Sequence, residues 1–367
     1  MATSANGGTF VNILHAISEE IPDFLWDQKG PALARRLPDP DDLRGWSKLQ
    51  ELVERLALPQ SDLLVERFAP AFAGFSLGGV PVLDVRPRNW KEKNKVAIYT
   101  HGGGFTLYSA ASTLGRAALF ADDTGLRVIS VDYTLAPSVT FEEIRNQVVI
   151  VFRALMNEGY HPEDTVMFGD SSGGALVVAV ILELRNLAVG LPAAAVLISP
   201  CIDLLPAKNA KDKEESDPSA PGEKPISRTA ADAYAKTAPG VRATSIYADF
   251  SKGFSPTLIQ GSTKEVLLSQ FFRLYHALDL AGVRVKLDLY KGILPGFQFR
   301  NPDGLESKTA RRKIRDFVRL RTTQSTLHDR TARATMEISK VAGEKSGEPG
   351  PGLSPSSLCQ SPRGRIL

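Results

Sequence analysis

The 367-residue sequence predicts an α/β protein built on a mostly parallel, doubly wound sheet. Three observations carry that prediction. Short β-type runs alternate with helix-like stretches over most of the chain. Most of these runs are continuously apolar, which suits strands covered on both faces. Each is followed by a turn signal before the next helix begins.

Residues 1–70 read as an amphipathic helical segment that is a candidate cap. The clearest helix there is Trp46–Leu56, where Leu49, Leu52, Val53 and Leu56 fall near helical spacing. A sheet domain follows over 71–321. Its expected strands are Val80–Val85, Lys95–Thr100, Arg127–Val131, Thr165–Phe168, Ala194–Ser199, Thr257–Gln260 and Arg284–Tyr290. The expected helices are Ser112–Asp122, Phe141–Glu158, Ser172–Leu187, Glu265–Ala281 and Leu305–Leu320. A cap insertion at about 205–245 interrupts the alternation. Within it, Ala207–Pro225 is rich in Lys, Glu, Asp, Ser and Pro and reads as a mobile surface loop, and Ser227–Lys236 reads as a helix. The tail, 322–367, is rich in Ser, Gly, Pro, Arg and Lys with little apolar periodicity, and reads as disordered.

Composition narrows the partners. A net charge of +3 over this length offers no broad basic surface, so no nucleic-acid partner is expected. The two cysteines, Cys201 and Cys359, make neither a metal-ligand spacing nor a disulfide framework, which points to a reducing compartment. Met1–Phe10 lacks the basic and apolar regions of a secretory signal, and runs such as Ala175–Leu182 are too short to span a bilayer. A cytoplasmic protein with no membrane span is expected. No transition-metal or nucleotide motif is present, so neither a cofactor nor a metal is expected. Oligomeric state is not legible.

The strongest chemical signal is Gly169-Asp170-Ser171-Ser172-Gly173-Gly174, set between the strand Val166-Met167-Phe168 and a helix starting near Ala175. G-x-S-x-G in a strand–turn–helix setting is a nucleophile elbow. Small flanking residues permit a very tight turn that lifts Ser171 to the carboxyl edge of the sheet. The helix N-terminus behind it favours developing negative charge. The alternative is a glycine-rich turn with a capping serine. A second signal, His101-Gly102-Gly103-Gly104-Phe105, comes after the strand Val96–Tyr99. Consecutive glycines let backbone N–H groups converge on one substrate oxygen, as in the HGGG-type oxyanion loops of lipases and esterases. Gly102, Gly103 and Gly104 are the oxyanion-hole candidates. Gly103 and Gly104 are the expected donors, and the N–H of Ser172 completes the set. The His101 side chain reads as a loop-orienting group rather than a base.

Three further runs accompany these motifs: Asp132-Tyr133-Thr134-Leu135-Ala136-Pro137, Ser199-Pro200-Cys201-Ile202-Asp203-Leu204 and Ser255-Pro256-Thr257-Leu258-Ile259-Gln260-Gly261. Together they resemble the hormone-sensitive-lipase-like esterase branch of the α/β-hydrolase fold family, over roughly Val80–Leu320. The resemblance implies an α/β-hydrolase fold, a Ser–acid–His triad, no metal, and a small-molecule ester or carboxylate as partner. It also implies the acid. In that branch the acid comes after the sixth strand and opens the next helix, a place filled here by Glu265 in Gly261-Ser262-Thr263-Lys264-Glu265. The alternative for Glu265 is an ordinary carboxylate at a helix N-terminus. The style of the chain as a whole, rather than any one residue, resembles fungal toxin-cluster hydrolases. That likeness implies secondary-metabolite (toxin) biosynthesis, with a peroxisomal location as the alternative to a cytoplasmic one.

The pattern breaks at the triad histidine. The branch reads His-Gly-Phe after the last strand, whereas this chain reads Pro295-Gly296-Phe297 with its flanking residues in register. Proline has no titratable group and cannot take the Ser171 proton. The five histidines are His15, His101, His161, His276 and His328. None lies in the loop after the last strand, where the triad needs it. His276, beside Leu274, Tyr275 and Leu278, reads as a helix-surface or packing residue. Two readings stay open. One is a serine hydrolase of small carboxylic esters or thioesters with impaired or unusual catalysis. The other is a pseudo-esterase that keeps its pocket to bind a small ligand. The plant gibberellin receptors resemble this family and also lack the histidine. A decaying gene copy is a third reading, since one base can separate His from Pro codons.

Overall fold

A computed structural model describes residues 38–39, 41–91, 94–203, 245–265 and 267–323. Among the described residues eight strands form one sheet: β1 Ala71–Leu77, β2 Val80–Arg86, β3 Val96–Thr100, β4 Arg127–Val131, β5 Thr165–Asp170, β6 Ala194–Ile198, β7 Thr257–Ser262 and β8 Val285–Tyr290. Their order across the sheet is β1-β2-β4-β3-β5-β6-β7-β8. The β1–β2 and β2–β4 pairs are antiparallel, and every later pair is parallel. The helices are α1 Leu43–Phe68, α2 Leu114–Thr124, α3 Phe141–Asn157, α4 Ser172–Asn186, α5 Leu268–Leu280, the short α6 Phe297–Arg300, and α7 over 305–323.

The apolar runs explain the layering. Every residue of β3 to β7 is buried, and successive residues go to opposite faces. Val96, Ile98 and Met167 join the core under α3, α4 and α5. Ala97, Tyr99, Val166 and Phe168 join the core under α2, α7 and the end of α1. Helices on both faces of a mostly parallel sheet are the doubly wound arrangement that the sequence predicts. It brings the carboxyl ends of β3, β5, β6, β7 and β8 to one edge, where such sheets place their sites. Among the described residues no helix is long and apolar enough to cross a membrane.

Several elements depart from expectation. The edge strand β1 is not among the expected strands, because six of its seven residues are exposed and no buried alternation marks it. Its signal is the Gly78-Gly79 pair, both at positive φ, which turns β1 into β2 as a two-residue hairpin loop. Helix α1 runs well beyond Leu56, through Pro59 to Phe68. Its buried stripe is Trp46, Leu49, Val53, Ala57, Ser61, Leu64 and Phe68, while Leu56 faces solvent. Helix α5 starts at Leu268, so Glu265 lies in the turn before it rather than opening it. Helix α7 continues to residue 323, past the expected start of the tail. Residues 1–37, residues 204–244, which hold all but the last residue of the cap insertion expected at about 205–245, and the tail from 324 lie outside the described residues.

Candidate active site

β5 ends at Asp170 and α4 begins at Ser172, so Ser171 makes the whole turn. Its backbone sits at φ 52°, ψ −122°, a conformation that costs a non-glycine residue about 1–3 kcal/mol. The end of β6 clasps it there. Ser171 N–H donates to Ile198 O at 2.9 Å, and Cys201 N–H donates to Ser171 O at 3.0 Å. The flanking glycines serve closeness rather than dihedral freedom. A Cβ on Gly169 would lie 2.5 Å from Gly173 C, and one on Gly173 would lie 2.0 Å from Thr100 O. The Ser171 side chain makes no hydrogen bond to the start of α4, so it is not a helix cap.

The segment His101 to Gly104 leaves β3 alongside this turn. A Cβ on Gly102 would sit 3.2 Å from Ser171 Cβ. Gly103 and Gly104 have φ of 109° and 64°, the left-handed region that favours glycine. Among the described residues, the N–H groups of Gly103, Gly104 and Ser172 donate to no protein acceptor. Ser172 Oγ accepts from Phe105 N–H at 3.3 Å and ties this loop to the first turn of α4. Helix α1 covers the loop beyond Phe105. Trp46, Leu49, Val53 and Ala57 pack on Leu107 and Tyr108, and Gln50 Nε2 donates to Thr106 O at 3.0 Å.

His101 is fully buried and stacks on Tyr133, with ring centroids 4.2 Å apart. Tyr133 OH donates to His101 O at 2.7 Å. His101 Nδ1 lies 2.8 Å from Gly102 O, which places its N–H there. Burial lowers the pKa of this imidazole, so the ring is neutral. These contacts fix the loop to the ring.

Glu265 is 6 % exposed at the end of β7. Its Oε1 accepts from Ser262 N–H at 2.6 Å and from Ser199 Oγ at 2.9 Å. Its Oε2 is buried and has no hydrogen-bond partner among the described residues. Burial pushes the carboxyl up to about 7, against the pull of the two donors. Ser199 lies between Ile198 and Cys201, the residues that hold the Ser171 backbone, so one short segment touches both Glu265 and the elbow.

Pro295 is half-buried in the loop between β8 and α6. Ser262 Oγ donates to Ile293 O, so the residue that holds Glu265 also holds this loop. Behind it, Asp288 accepts from Gln260 Nε2 at 3.0 Å and from Tyr290 OH at 2.8 Å, and Gln298 Nε2 donates to Gln260 Oε1 at 3.2 Å. This polar network joins β7, β8 and α6. None of the described histidines hydrogen-bonds to Ser171 or Glu265. His161 and His276 are exposed, the latter on α5, and His15 and His328 lie outside the described residues.

One site group has no counterpart among the sequence motifs. Asp170 accepts from Tyr99 OH at 2.5 Å and from Arg116 Nη1 at 2.6 Å. The Arg116 guanidinium also lies 5.5 Å from the ring centroids of both Tyr108 and Phe299. It therefore braces the elbow, the loop after the three glycines, and α6 behind Pro295. Arg116 is far from Asp170 in sequence, and no local pattern links the two. Among the described residues no cluster of His, Cys, Asp and Glu could hold a metal ion.

A serine held at a strand-to-helix turn on the carboxyl edge of a mostly parallel sheet is the arrangement of serine-type α/β hydrolases. The alpha/beta hydrolase fold family matches residues 97–299, and the chain belongs to it, within the branch of hormone-sensitive-lipase-like esterases. It is similar to an esterase of Acinetobacter venetianus, 31 % identical over 231 residues, covering 61 % of this chain and 74 % of that one. It is similar to an acetyl-hydrolase of Streptomyces hygroscopicus, 30 % identical over 159 residues, 43 % of this chain and 49 % of the other. Human hormone-sensitive lipase is 27 % identical over 126 residues, 33 % of this chain and 12 % of the lipase. The match thus spans about half the Streptomyces relative and far less of the human lipase. The crystal structure of an esterase from the bacterial hormone-sensitive lipase family superposes with a TM-score of 0.68 at 26 % identity, covering 88 % of this chain and 100 % of the other. The chain is an α/β hydrolase of the esterase/lipase type.

Proposed function

We propose that this hydrolase acts on a small carboxylic ester or thioester, and that Pro295 in place of the triad base makes its turnover very slow. Ser171 is the nucleophile, the N–H groups of Gly103, Gly104 and Ser172 are the oxyanion donors with Gly102 packed beside them, and Glu265 is the acid. The observation that carries this reading is Ser171 itself. Its strained backbone is clasped by β6, its side chain is not spent on the helix, and three amides without a protein acceptor lie beside it. In this scheme Ser171 Oγ attacks the substrate carbonyl carbon, and the amides stabilise the oxyanion by about 3 kcal/mol each. The proton of Ser171 then has no imidazole to receive it, so Ser171 is a weak nucleophile at neutral pH. A residual rate of about 10³–10⁴ over water can still come from the oxyanion donors and binding.

The test is hydrolysis of short p-nitrophenyl esters, with Ser171→Ala as the blank and a fluorophosphonate probe as a separate readout. Slow, Ser171-dependent hydrolysis is expected. Turnover like that of an ordinary esterase would sink the claim of impairment. One observation supports a second reading, a pseudo-esterase that binds a small ester or carboxylate without turning it over: Glu265 Oε2 is buried with no hydrogen-bond partner, from an imidazole or any other group, among the described residues. Tight binding of an acyl ligand with no turnover and no labelling of Ser171 would favour it. A role in secondary-metabolite (toxin) biosynthesis rests on resemblance alone, since the relatives above are bacterial and mammalian esterases and lipases.

A further inference from the structure

We infer that the edge strand β1 docks a second copy of this chain, pairing antiparallel with β1 of that copy about Gly74. The inference does not depend on catalysis at Ser171.

The direction of the backbone groups on β1 follows from its neighbours. Asp132 N–H donates to Pro81 O at 3.0 Å, just beyond the pairing of Val82 with Val131. Pro81, Leu83 and Val85 therefore turn their main-chain polar groups toward β4. In an antiparallel ladder such groups alternate along a strand. Val80, Val82, Asp84 and Arg86 thus turn toward β1, where they meet Leu77, Phe75, Ala73 and Ala71. The other three residues of β1, Phe72, Gly74 and Ser76, turn both N–H and C=O away from the sheet. Among the described residues these groups have no hydrogen-bond partner, and all three residues are exposed. A row of unmade ladder bonds is a template for another strand.

The side chains say which strand fits. Natural edges are commonly defended by charge or proline, and Ala71–Leu77 carries neither. The opposite edge, β8, carries the exposed Lys286 and is followed by the exposed Lys291. A two-fold axis at Gly74 maps the outward set of β1 onto itself. Phe72 then faces Ser76 of the second copy, Gly74 faces Gly74, and Ser76 faces Phe72. Each opposed pair exchanges two hydrogen bonds. Centring the axis on Phe72 or Ser76 instead would leave some of these bonds unmade. The central register also sets large against small throughout. Phe72 lies opposite Ser76, Phe75 opposite Ala73, and Leu77 opposite Ala71. Phe72 and Phe75 are 51 % and 37 % exposed, and pairing gives both a cross-strand neighbour. The middle is open, since a Cβ on Gly74 would meet only Leu83 Cδ2, at 3.7 Å. Phe72 of the second copy lies on that face, diagonal to Gly74, and covers the gap that the glycine leaves.

The test is sedimentation velocity of the full chain over a concentration series, with hydrogen exchange at each concentration. A reversible monomer–dimer equilibrium is expected, and the amides of Phe72, Gly74 and Ser76 should gain protection as the dimer forms. Gly74→Lys sets two like charges face to face across the axis and should raise the dissociation constant about 100-fold, and Gly74→Glu should do the same. An equimolar mixture of the two variants should dimerise again, because the facing charges are now opposite. Circular dichroism checks that each variant is folded; if either is not, the concentration dependence of exchange in the unaltered chain decides alone. A monomer at every concentration overturns the inference. So does a dimer that survives both variants, or a mixture that stays monomeric, since the contact then lies elsewhere. Protection of the three amides that does not change with concentration assigns β1 to a segment of the same chain and overturns it as well.

Discussion

On the Ser171 side of the site, position is set by backbone. The elbow's strain is held by two main-chain hydrogen bonds, one from the end of β6 and one from Cys201 just after it, its glycines admit strands and helix at contact distance, and the loop from His101 to Gly104 is stitched to α4 through Ser172 and Phe105. On the Glu265 side, position is set by side chains, and the set is incomplete. Ser199 and Ser262 hold one carboxylate oxygen, the other has no hydrogen-bond partner among the described residues, and in the proposed scheme Pro295 stands where a base would be needed. A backbone-built half is spread over many residues that must all fit. A side-chain-built half can lose its chemistry at a single position while its loop stays held by Ser262 and by the Gln260–Asp288–Gln298 network.

The largest expected effect tests that contrast directly. Pro295→His should raise kcat/KM on a p-nitrophenyl ester by about 10³-fold, because a lost triad member costs that much or more. No gain, with the fold intact by circular dichroism, would mean that the loop does not present residue 295 to Glu265.

Next in size is the pH dependence of stability. The Glu265 carboxyl ionises at about 7 in the folded chain, against an ordinary value of 4.5. A raised folded pKa stabilises the fold at low pH, where both states are protonated. That advantage is lost as pH rises from about 4.5 through about 7, by about 3 kcal/mol in all. Denaturant midpoints should therefore fall across this window, and Glu265→Gln should flatten the slope. An unchanged slope in that variant would show that the group titrates normally.

Arg116→Met should cost about 2 kcal/mol, because Asp170 keeps Tyr99 but loses its charged partner. It should also slow fluorophosphonate labelling of Ser171, with partial recovery in Arg116→Lys. A loss of stability without slower labelling would confine Arg116 to the fold. The smallest effect is expected for Ser199→Ala, about 1 kcal/mol from one hydrogen bond. Since Ser199 favours the ionised carboxylate, the variant should move the Glu265 midpoint further upward, which a pH titration of stability would detect.

Much of this molecule is legible in its sequence. Val96–Thr100 and Arg127–Val131 read as strands because unbroken apolar runs bounded by turns have few other uses, and both lie fully buried at the centre of the sheet. Gly169 to Gly174 read as an elbow because the motif is local, and its geometry is a property of one turn. By contrast, β1 escapes a linear reading because its residues face solvent and its only mark is a glycine pair. The roles of Ser199, Ser262 and Arg116 escape it because each acts through packing that no local motif encodes.

Local pattern alone therefore determines seven of the eight described strands, their alternation with helices along the chain, the turn that carries Ser171 and the proline at 295. Hydrophobic period, turn glycines and residue identity suffice for these. Tertiary packing was needed to establish that Ser171 does not cap its helix, that Glu265 stands before α5 with one oxygen engaged and one without a hydrogen-bond partner among the described residues, and that Arg116 braces three parts of the site. These depend on which groups share a buried space, and burial sets the cost of an unmade hydrogen bond or an unpaired charge in a way that no linear pattern records.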